Sequence, residues 1–188
     1  MTFFSGKGDS GTSKLFDSPQ GARVTKSSPV FETLGMLDEL NALVGWCKAG
    51  CPENFSVVKR VGTEVLEEIQ DHLFTIQAEV AGAQKSVPMK SVEEMSAMIT
   101  AIEKQLPEVK SFLVPGATEF SARLDIARAV SRRVERRLVA LHESSERVIS
   151  ESSRAYANRL SSLLYALVRL ANHSTGVKER APHYLDCI

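Results

Sequence analysis

The chain has 188 residues, of which 43% are hydrophobic and 24% charged, so it can bury the core of one domain and lacks the composition of a disordered chain. Its 23 basic and 23 acidic side chains balance, which excludes a global electrostatic attraction to nucleic acid or to an anionic membrane. A phosphate group would therefore have to be bound by a local cluster of basic residues. No stretch reaches the roughly 18 apolar residues of a membrane-spanning helix, and the first residues lack the pattern of a signal peptide.

Residues 1–30 are rich in glycine, serine and lysine and have no helical period, which predicts a loop-like head. Its segment 5–14 reads Ser-Gly-Lys-Gly-Asp-Ser-Gly-Thr-Ser-Lys. Small residues let backbone N–H groups approach an anion, and Lys7 and Lys14 add positive charge. The segment differs from a P-loop because Thr12 stands where the motif requires lysine, and no strand precedes it. The segment can therefore be interpreted either as a flexible terminus or as a phosphate-binding loop.

Three segments with helical spacing of apolar residues follow the head. The first ends at Gly50, and Asp38 and Glu39, near its expected start, are typical of acids that complement a helix dipole. For the third, Ser91 and Glu94 have the spacing of a capping box. The apolar positions are, in order, Leu37, Leu40, Val44 and Cys47, then Val58, Val65, Ile69, Leu73, Ile76 and Val80, then Met95, Met98, Ile102 and Leu106.

A fourth and a fifth segment show the strongest helical spacing. Pro115-Gly116 breaks the chain before the fourth, and Thr118 is its expected N-cap. Their apolar faces carry Phe120, Leu124, Ala127, Ser131, Val134, Leu138 and Leu141, and then Tyr156, Leu160, Leu163, Leu167 and Leu170. Since strand-like alternation is missing, we expect an all-α, five-helix antiparallel bundle in one domain, residues 1–188. Its parts are the head (1–30), the bundle (31–173) and a tail (174–188).

The fourth segment places Arg128, Arg132 and Glu135 on one helical face, at positions i, i+4 and i+7. Two guanidinium groups on one face can bind a polyphosphate bidentately, but a solvated face with Glu135 paired to its neighbours would have the same pattern. On the fifth segment, Asn158 and Ser162 lie one turn apart. Polar groups that face a bundle interior are as often structural as functional.

Other patterns of catalysis or metal binding are missing from the sequence. The three cysteines, Cys47, Cys51 and Cys187, have neither disulfide nor metal-ligand spacing, which predicts reduced thiols in the cytoplasm, or in the mitochondrial matrix of a eukaryote. Neither a Ser-His-Asp nor a Cys-His arrangement can be recognised. The histidines are scattered at His72, His142, His173 and His183.

Several segments in order resemble one known family. They are Ser5–Leu15, Arg23–Lys26 with Pro29, Leu34–Asn41, Leu66–Phe74, Phe112–Gly116, Ala127–Arg136, Asn158–Ser161 and Arg169–Asn172. Phe112–Gly116 is similar to that family's Phe-x-x-Pro-Gly turn, and Ala127–Arg136 to its Ala-Arg-x-x-x-Arg-Arg-x-Glu-Arg helix. From Ser5 to Asn172 the chain resembles the PduO-type ATP:cob(I)alamin adenosyltransferases.

The resemblance implies an enzyme that moves the 5′-deoxyadenosyl group of ATP onto the cobalt of cob(I)alamin, giving adenosylcobalamin and triphosphate. It implies a ferritin-like five-helix bundle that forms a homotrimer with active sites between subunits. The expected cofactors and substrates are ATP, cobalamin and Mg²⁺ carried on the ATP phosphates, without a metal ligand assigned in the protein. A reductase and an adenosylcobalamin-dependent mutase are the expected partners.

The resemblance also implies the site residues. Arg128, Asp38 and Phe112 would be catalytic, with Asp38 paired to Arg128 across a subunit interface. Phe112 would bind cobalamin by packing on the corrin, where it displaces the lower axial ligand of cob(II)alamin. ATP would be bound by Ser5, Gly6, Lys7, Gly8, Gly11, Ser13, Lys14, Lys26, Arg128, Arg132, Glu135 and Asn158.

The chain departs from the family pattern at a few positions. Asp125 replaces a frequent histidine, Ala117 a second glycine, and Gly6 a basic residue. Ser162 replaces the aspartate that closes the Asn-Arg-Leu-Ser-Asp motif, which leaves open a non-catalytic carrier or sensor of adenosylcobalamin or ATP. A structural helical oligomer is a further alternative, which the head and the arginine helix disfavour. Phe112 could also be a core residue that plugs the end of the bundle.

Overall fold

The computed structural model describes residues 4–183, and within them five helices form one bundle. The helices are α1 (Pro29–Ala49), α2 (Gly62–Val80), α3 (Met89–Glu103), α4 (Glu119–Glu143) and α5 (Glu151–Ser174). Two short antiparallel pairs join β1 (Thr12–Ser13) to β2 (Val24–Thr25) and β3 (Ser56–Val57) to β4 (Arg60–Val61). The predicted five-helix bundle is confirmed.

Side-chain caps fix three of the helix starts. Ser28 Oγ accepts a hydrogen bond from the amide of Phe31 at 3.5 Å, and Ser150 caps α5 in the same way. At α4, Thr118 Oγ1 accepts from the Ser121 amide at 3.1 Å while Ser121 Oγ accepts from the Thr118 amide at 2.9 Å. This reciprocal pair satisfies two N–H groups that the helix itself leaves unpaired. The prediction of Thr118 as an N-cap is confirmed.

Two predictions about helix starts are wrong. Helix α3 begins at Met89 after Pro88, without a side-chain cap, so Ser91 and Glu94 lie inside the helix. A proline is compatible with a position just before the first turn, because its φ is fixed near the helical value and it has no N–H group that would need a hydrogen-bond acceptor. Helix α1 begins at Pro29, within the part expected to be head. Asp38 is therefore in the middle of α1, and complementing the helix dipole does not explain it.

Strands and turns account for the remaining differences. Val58 occupies the turn between β3 and β4 with φ 50°, not the start of α2. Helix α2 begins instead at Gly62, where a side chain would collide with the Phe55 ring. The expectation that the chain contains no strands is also wrong, because strands of two residues are too short to show alternation.

The core lies between the helices along the predicted apolar faces. Helix α4 packs against α1 and α5, α1 against α2, and α3 against α5. Tyr156 is 2% exposed, and its hydroxyl is hydrogen bonded to His72 Nδ1 at 3.1 Å. Burial raises the pKa of the Tyr156 hydroxyl, which keeps it neutral. The hydrogen bond between His72 and Tyr156 therefore joins α2 to α5 within the core. Within residues 4–183, every helix is too short or too polar to cross a membrane.

Candidate functional site

A cleft of about 920 Å³ opens between α4, α5 and the segment 104–118, which joins α3 to α4 without a helix or strand of its own. This volume is in the upper range for small-molecule sites. Apolar side chains such as Leu106 and Val109 form part of its wall, and arginines form another part. The cleft can therefore offer a large ligand both apolar contacts and positive charge.

Phe112 lies in the wall of this cleft, on the segment 104–118. Its side chain is 81% exposed. A ring that plugs the core would be buried, so the alternative that Phe112 is a core residue is wrong. An aromatic ring held open to solvent is available for packing on a flat apolar ligand.

Arg128 and Arg132 line the same cleft from successive turns of α4. Arg128 is half-buried, and its Nε lies 3.4 Å from Asp125 Oδ1. The second oxygen of Asp125 accepts a hydrogen bond from the Gly116 amide at 3.3 Å. Asp125 therefore ties the position of Arg128 to the end of the segment that carries Phe112. Arg132 is exposed to solvent at the cleft.

Glu135 and Asn158 lie together in a second recess of about 390 Å³ between α4 and α5. Glu135 is one helical turn beyond Arg132. Arg128 and Arg132 thus line the cleft, whereas Glu135 and Asn158 line the second recess of the same helix pair. Helix α4 carries Arg128, Arg132 and Glu135, and the binding of a ligand by these residues stays a prediction.

Arg169 of α5 also lines the cleft, and the sequence analysis did not assign it a role. It is 6% exposed, donates to the Pro107 carbonyl at 3.1 Å and is paired with Glu179 at 2.6 Å. The signal in the sequence was an arginine within an otherwise apolar helical face, because a buried charge requires a partner.

The head is a folded hairpin rather than an irregular loop. Gly6 and Gly11 have φ of 66° and 75°, a region that favours glycine. Arg23 donates to the Thr12 carbonyl at 2.6 Å and to its hydroxyl at 2.7 Å. Lys26 Nζ donates to the Gly8 carbonyl at 3.0 Å. The remaining predicted ligands of the head are partly or fully exposed along this hairpin, at Ser5, Lys7, Ser13 and Lys14.

The head is anchored to the bundle at the end of α2. The Phe16 amide donates to the Ala81 carbonyl at 2.8 Å, and Asp17 forms an ion pair with Arg147, which follows α4. The Arg147 guanidinium holds the pKa of the Asp17 carboxyl below its usual value. Asp17 packs over Gly82, where a Cβ would collide with the carboxylate. The anchor lies beyond the end of α4, which is roughly 16 Å along the helix from Arg132.

Asp38 is exposed on α1, while its neighbour Glu39 is paired with Arg133 of α4 at 2.7 Å. Within one chain, the partner of Arg128 is Asp125. The pairing of Asp38 with Arg128 was predicted between subunits, and it stays a prediction.

Cysteine and metal chemistry have little support in the part of the chain that the structure describes. Cys47 is buried and free, and burial raises the pKa of its thiol to about 12. Cys51 is also free, and Cys187 lies outside the described residues. Residues 4–183 contain no group of three histidine, cysteine or carboxylate side chains that could hold a metal ion.

The chain is similar to known proteins over most of its length. A sequence model of the cobalamin adenosyltransferase family matches residues 3–171. The chain is 36% identical to the corrinoid adenosyltransferase PduO of Citrobacter freundii, an alignment that includes 100% of this chain and 56% of that protein. It is 31% identical to the corrinoid adenosyltransferase of Bacillus subtilis, over 94% of this chain and 90% of that one.

A solved structure agrees with this similarity over the whole fold. It is a variant PduO-type ATP:corrinoid adenosyltransferase from Lactobacillus reuteri complexed with cobalamin and ATP. The two structures superpose with a TM-score of 0.85 at 25% identity, over 97% of this chain and 100% of the other. The chain spans only about half the length of the PduO relative from Citrobacter freundii.

Proposed function

Because the chain belongs to the cobalamin adenosyltransferase family, we propose that it transfers the 5′-deoxyadenosyl group of ATP to the cobalt of cob(I)alamin, giving adenosylcobalamin and triphosphate. One observation carries this proposal. A single cleft is lined by the exposed ring of Phe112 and by Arg128 and Arg132. Relatives that resemble the chain over most of its length are corrinoid adenosyltransferases.

In the proposed reaction, Phe112 packs on the lower face of the corrin. Its bulk excludes the lower axial ligand, so cob(II)alamin becomes four-coordinate and is more easily reduced to the Co(I) nucleophile. The exposure of Phe112 supports this role, because the ring needs no rearrangement of the core to reach a ligand. The apolar wall with Leu106 and Val109 would exclude water from the cobalt.

Cobalt(I) then attacks the 5′ carbon of ATP with an electron pair, and the bond from that carbon to the phosphate oxygen breaks. The triphosphate leaves with the electrons of that bond. Arg128 and Arg132 would bind the developing negative charge, together with Lys14 and Lys26 of the head. Proton transfer is not required in this step, so the residues have to bind, orient and desolvate rather than act as a base.

Mg²⁺ would be carried by the phosphates of ATP. The proposed nucleotide residues are mainly lysines, arginines and glycines, which suit phosphate oxygens and not a cation. When bound, the ion would neutralise phosphate charge.

A homotrimer with sites between subunits is part of this proposal. The anchor of the head lies beyond the end of α4, away from Arg128 and Arg132. A neighbouring subunit could place its head at these arginines and complete the nucleotide site. A reductase that supplies Co(I) and a mutase that uses the product are the proposed partners, and a cytoplasmic location stays a prediction.

The decisive experiment is the spectral conversion of chemically reduced cob(I)alamin by the purified chain with ATP. We expect stoichiometric adenosylcobalamin and triphosphate. If ATP and adenosylcobalamin bind but turnover is absent, the chain is a carrier or sensor. Ser162, which lines the cleft, would then be tested by Ser162→Asp, which restores the carboxylate that the family pattern has there. If neither ligand binds, the proposed function is wrong.

The head offers a second test. We expect hydrogen exchange of residues 5–26 to slow when Mg-ATP is added, because phosphate contacts must offset the conformational entropy of the glycines. Unchanged exchange at saturating ATP would mean that the nucleotide binds elsewhere.

A further inference from the structure

The segment 104–118 carries Phe112 but has no regular structure of its own, so its position depends on contacts from outside. Residues of the tail, 176–183, hold it at two points. The Val114 amide donates to the Arg180 carbonyl at 2.8 Å. Arg169 donates to the Pro107 carbonyl at 3.1 Å and is itself held by Glu179. The two contacts lie on either side of Phe112.

The contact through Glu179 is the more buried of the two. The side chains of Arg169 and Glu179 are 7% and 18% exposed, and their Nε and Oε2 atoms are 2.6 Å apart. The second oxygen of Glu179 accepts from Asn172 Nδ2 at 3.1 Å. A buried charge pair with these additional hydrogen bonds fixes a single geometry, whereas an unpaired Arg169 would seek other partners.

The chain reverses at Gly176 to bring this carboxylate into place. Gly176 has φ 68°, and its amide donates to the His173 carbonyl, while the Val177 amide donates to the Asn172 carbonyl, both at 3.1 Å. This left-handed turn after α5 is a common way to end a helix. It directs the tail back along α5, so that Glu179 reaches Arg169 ten residues earlier.

We infer that Glu179 is a positioning residue for the corrinoid: through Arg169 it holds the segment that presents Phe112. This inference rests on the proposed function. Glu179 lies beyond residues 3–171, which match the family, so the family pattern assigns it no role. Of the two partners of Glu179, Arg169 lines the cleft, and neither Arg169 nor Asn172 belongs to the head, so Glu179 acts on the corrinoid side of the site.

The test compares Glu179→Gln and the stronger Glu179→Ala with the unmodified chain. Hydrogen exchange of residues 107–114 should accelerate in the free protein, and the Kd for cob(II)alamin from spectral titration should rise about tenfold, the effect of about 1.4 kcal/mol. The Kd for ATP should not change. Glu179→Gln keeps the shape of the side chain, so it still answers the question if Glu179→Ala fails to fold.

The matched control is Glu119→Gln. Glu119 is also paired with a largely buried arginine, Arg123, but that arginine stacks on Trp46 away from the cleft. We expect this variant to leave both exchange of residues 107–114 and corrinoid binding unchanged.

The inference is overturned if Glu179→Gln leaves exchange of residues 107–114 unchanged, or if exchange rises without weaker cob(II)alamin binding. It is also overturned if binding of ATP and of corrinoid weaken together as the melting temperature falls, since this would be a general loss of structure. Neither readout needs turnover, so absence of adenosyl transfer by the unmodified chain would reject the proposed function but not the positioning by Glu179.

Discussion

The cleft and the head are built in opposite ways. Part of the cleft is formed by the long helices α4 and α5. Another part is the irregular segment 104–118, whose position is fixed through the ion pair of Glu179 with Arg169, and the Arg169 side chain is only 7% exposed. The head is a hairpin held to the bundle by a backbone hydrogen bond and by Asp17, whose side chain is 45% exposed. The cleft is thus fixed by contacts within the bundle and the tail of one chain, whereas the head is a separately anchored segment.

The difference in burial sets how each region responds to change. Removing one partner of a buried ion pair costs about 3–5 kcal/mol, while an exposed pair contributes roughly 0–1 kcal/mol. Salt screens exposed charges far more than buried ones. We therefore expect the head to respond to pH and salt under conditions that leave the cleft unaffected.

Phe112→Ala should have the largest effect and tests whether the cleft serves the corrinoid. Turnover from cob(II)alamin should fall to background, while turnover with chemically prepared cob(I)alamin falls much less, because the difficult reduction is bypassed. Since Phe112 is 81% exposed, the melting temperature should barely change. A folded variant with normal turnover from cob(II)alamin would remove Phe112 from the mechanism.

Asp38→Asn tests whether the two regions meet in a trimer. If Asp38 is paired with Arg128 of another subunit in a buried interface, its loss should weaken assembly by about 3–5 kcal/mol. Light scattering and activity should both report this loss. Glu39→Gln is the matched control, because Glu39 already has Arg133 of its own chain as partner. A monomer at micromolar concentration, or equal effects of the two variants, would contradict the shared site.

Arg132→Ala tests the contribution of the cleft to nucleotide binding. A charge-assisted hydrogen bond contributes about 1.5–3 kcal/mol, so kcat/KM for ATP should fall roughly 10- to 100-fold. Arg133→Ala is the control, since this exposed neighbour is paired with Glu39 outside the cleft. Steady-state kinetics at varied ATP distinguish the two variants. Equal losses would mean that the overall charge of α4 matters and not the position of Arg132.

Acidification should have the smallest effect, and in the head it should act through Asp17. The pKa of Asp17 is lowered by Arg147, so the pair stabilises the anchor above the usual carboxyl pKa of about 3.9 and is lost as pH falls through the lower folded value. The amide resonance of Phe16, followed by NMR, should shift over this range. In the Asp17→Asn variant, the Phe16 resonance should not shift with pH. A shift of the same size in that variant would mean that another group titrates.

The helices and the two arginines of the cleft could be predicted from the sequence because their determinants are local. Apolar spacing identified all five helices, and Thr118 was recognisable as a cap from the break before it. Arg128 and Arg132 share a cleft because one helix carries both at a spacing of four residues.

Several errors and omissions concern contacts that are made outside the helices or between a helix and another segment. The start of α2 at Gly62 depends on the Phe55 ring packed against it, and β1 and β2 are joined across ten residues by Arg23. The pairing of Glu179 with Arg169 requires the reversal at Gly176. None of these contacts has a periodic pattern, so propensity and spacing could not reveal them.

The anchoring of the head by Phe16 and Asp17 has a consequence for the kinetics of nucleotide capture. In the proposed trimer, a head that stays attached at the end of α2 would be held near the arginines of the neighbouring subunit at an effective concentration set by its short tether, of the order of millimolar. Its closure over ATP would then be a unimolecular event whose rate is independent of protein concentration. Dilution would slow catalysis only when it separates the subunits themselves.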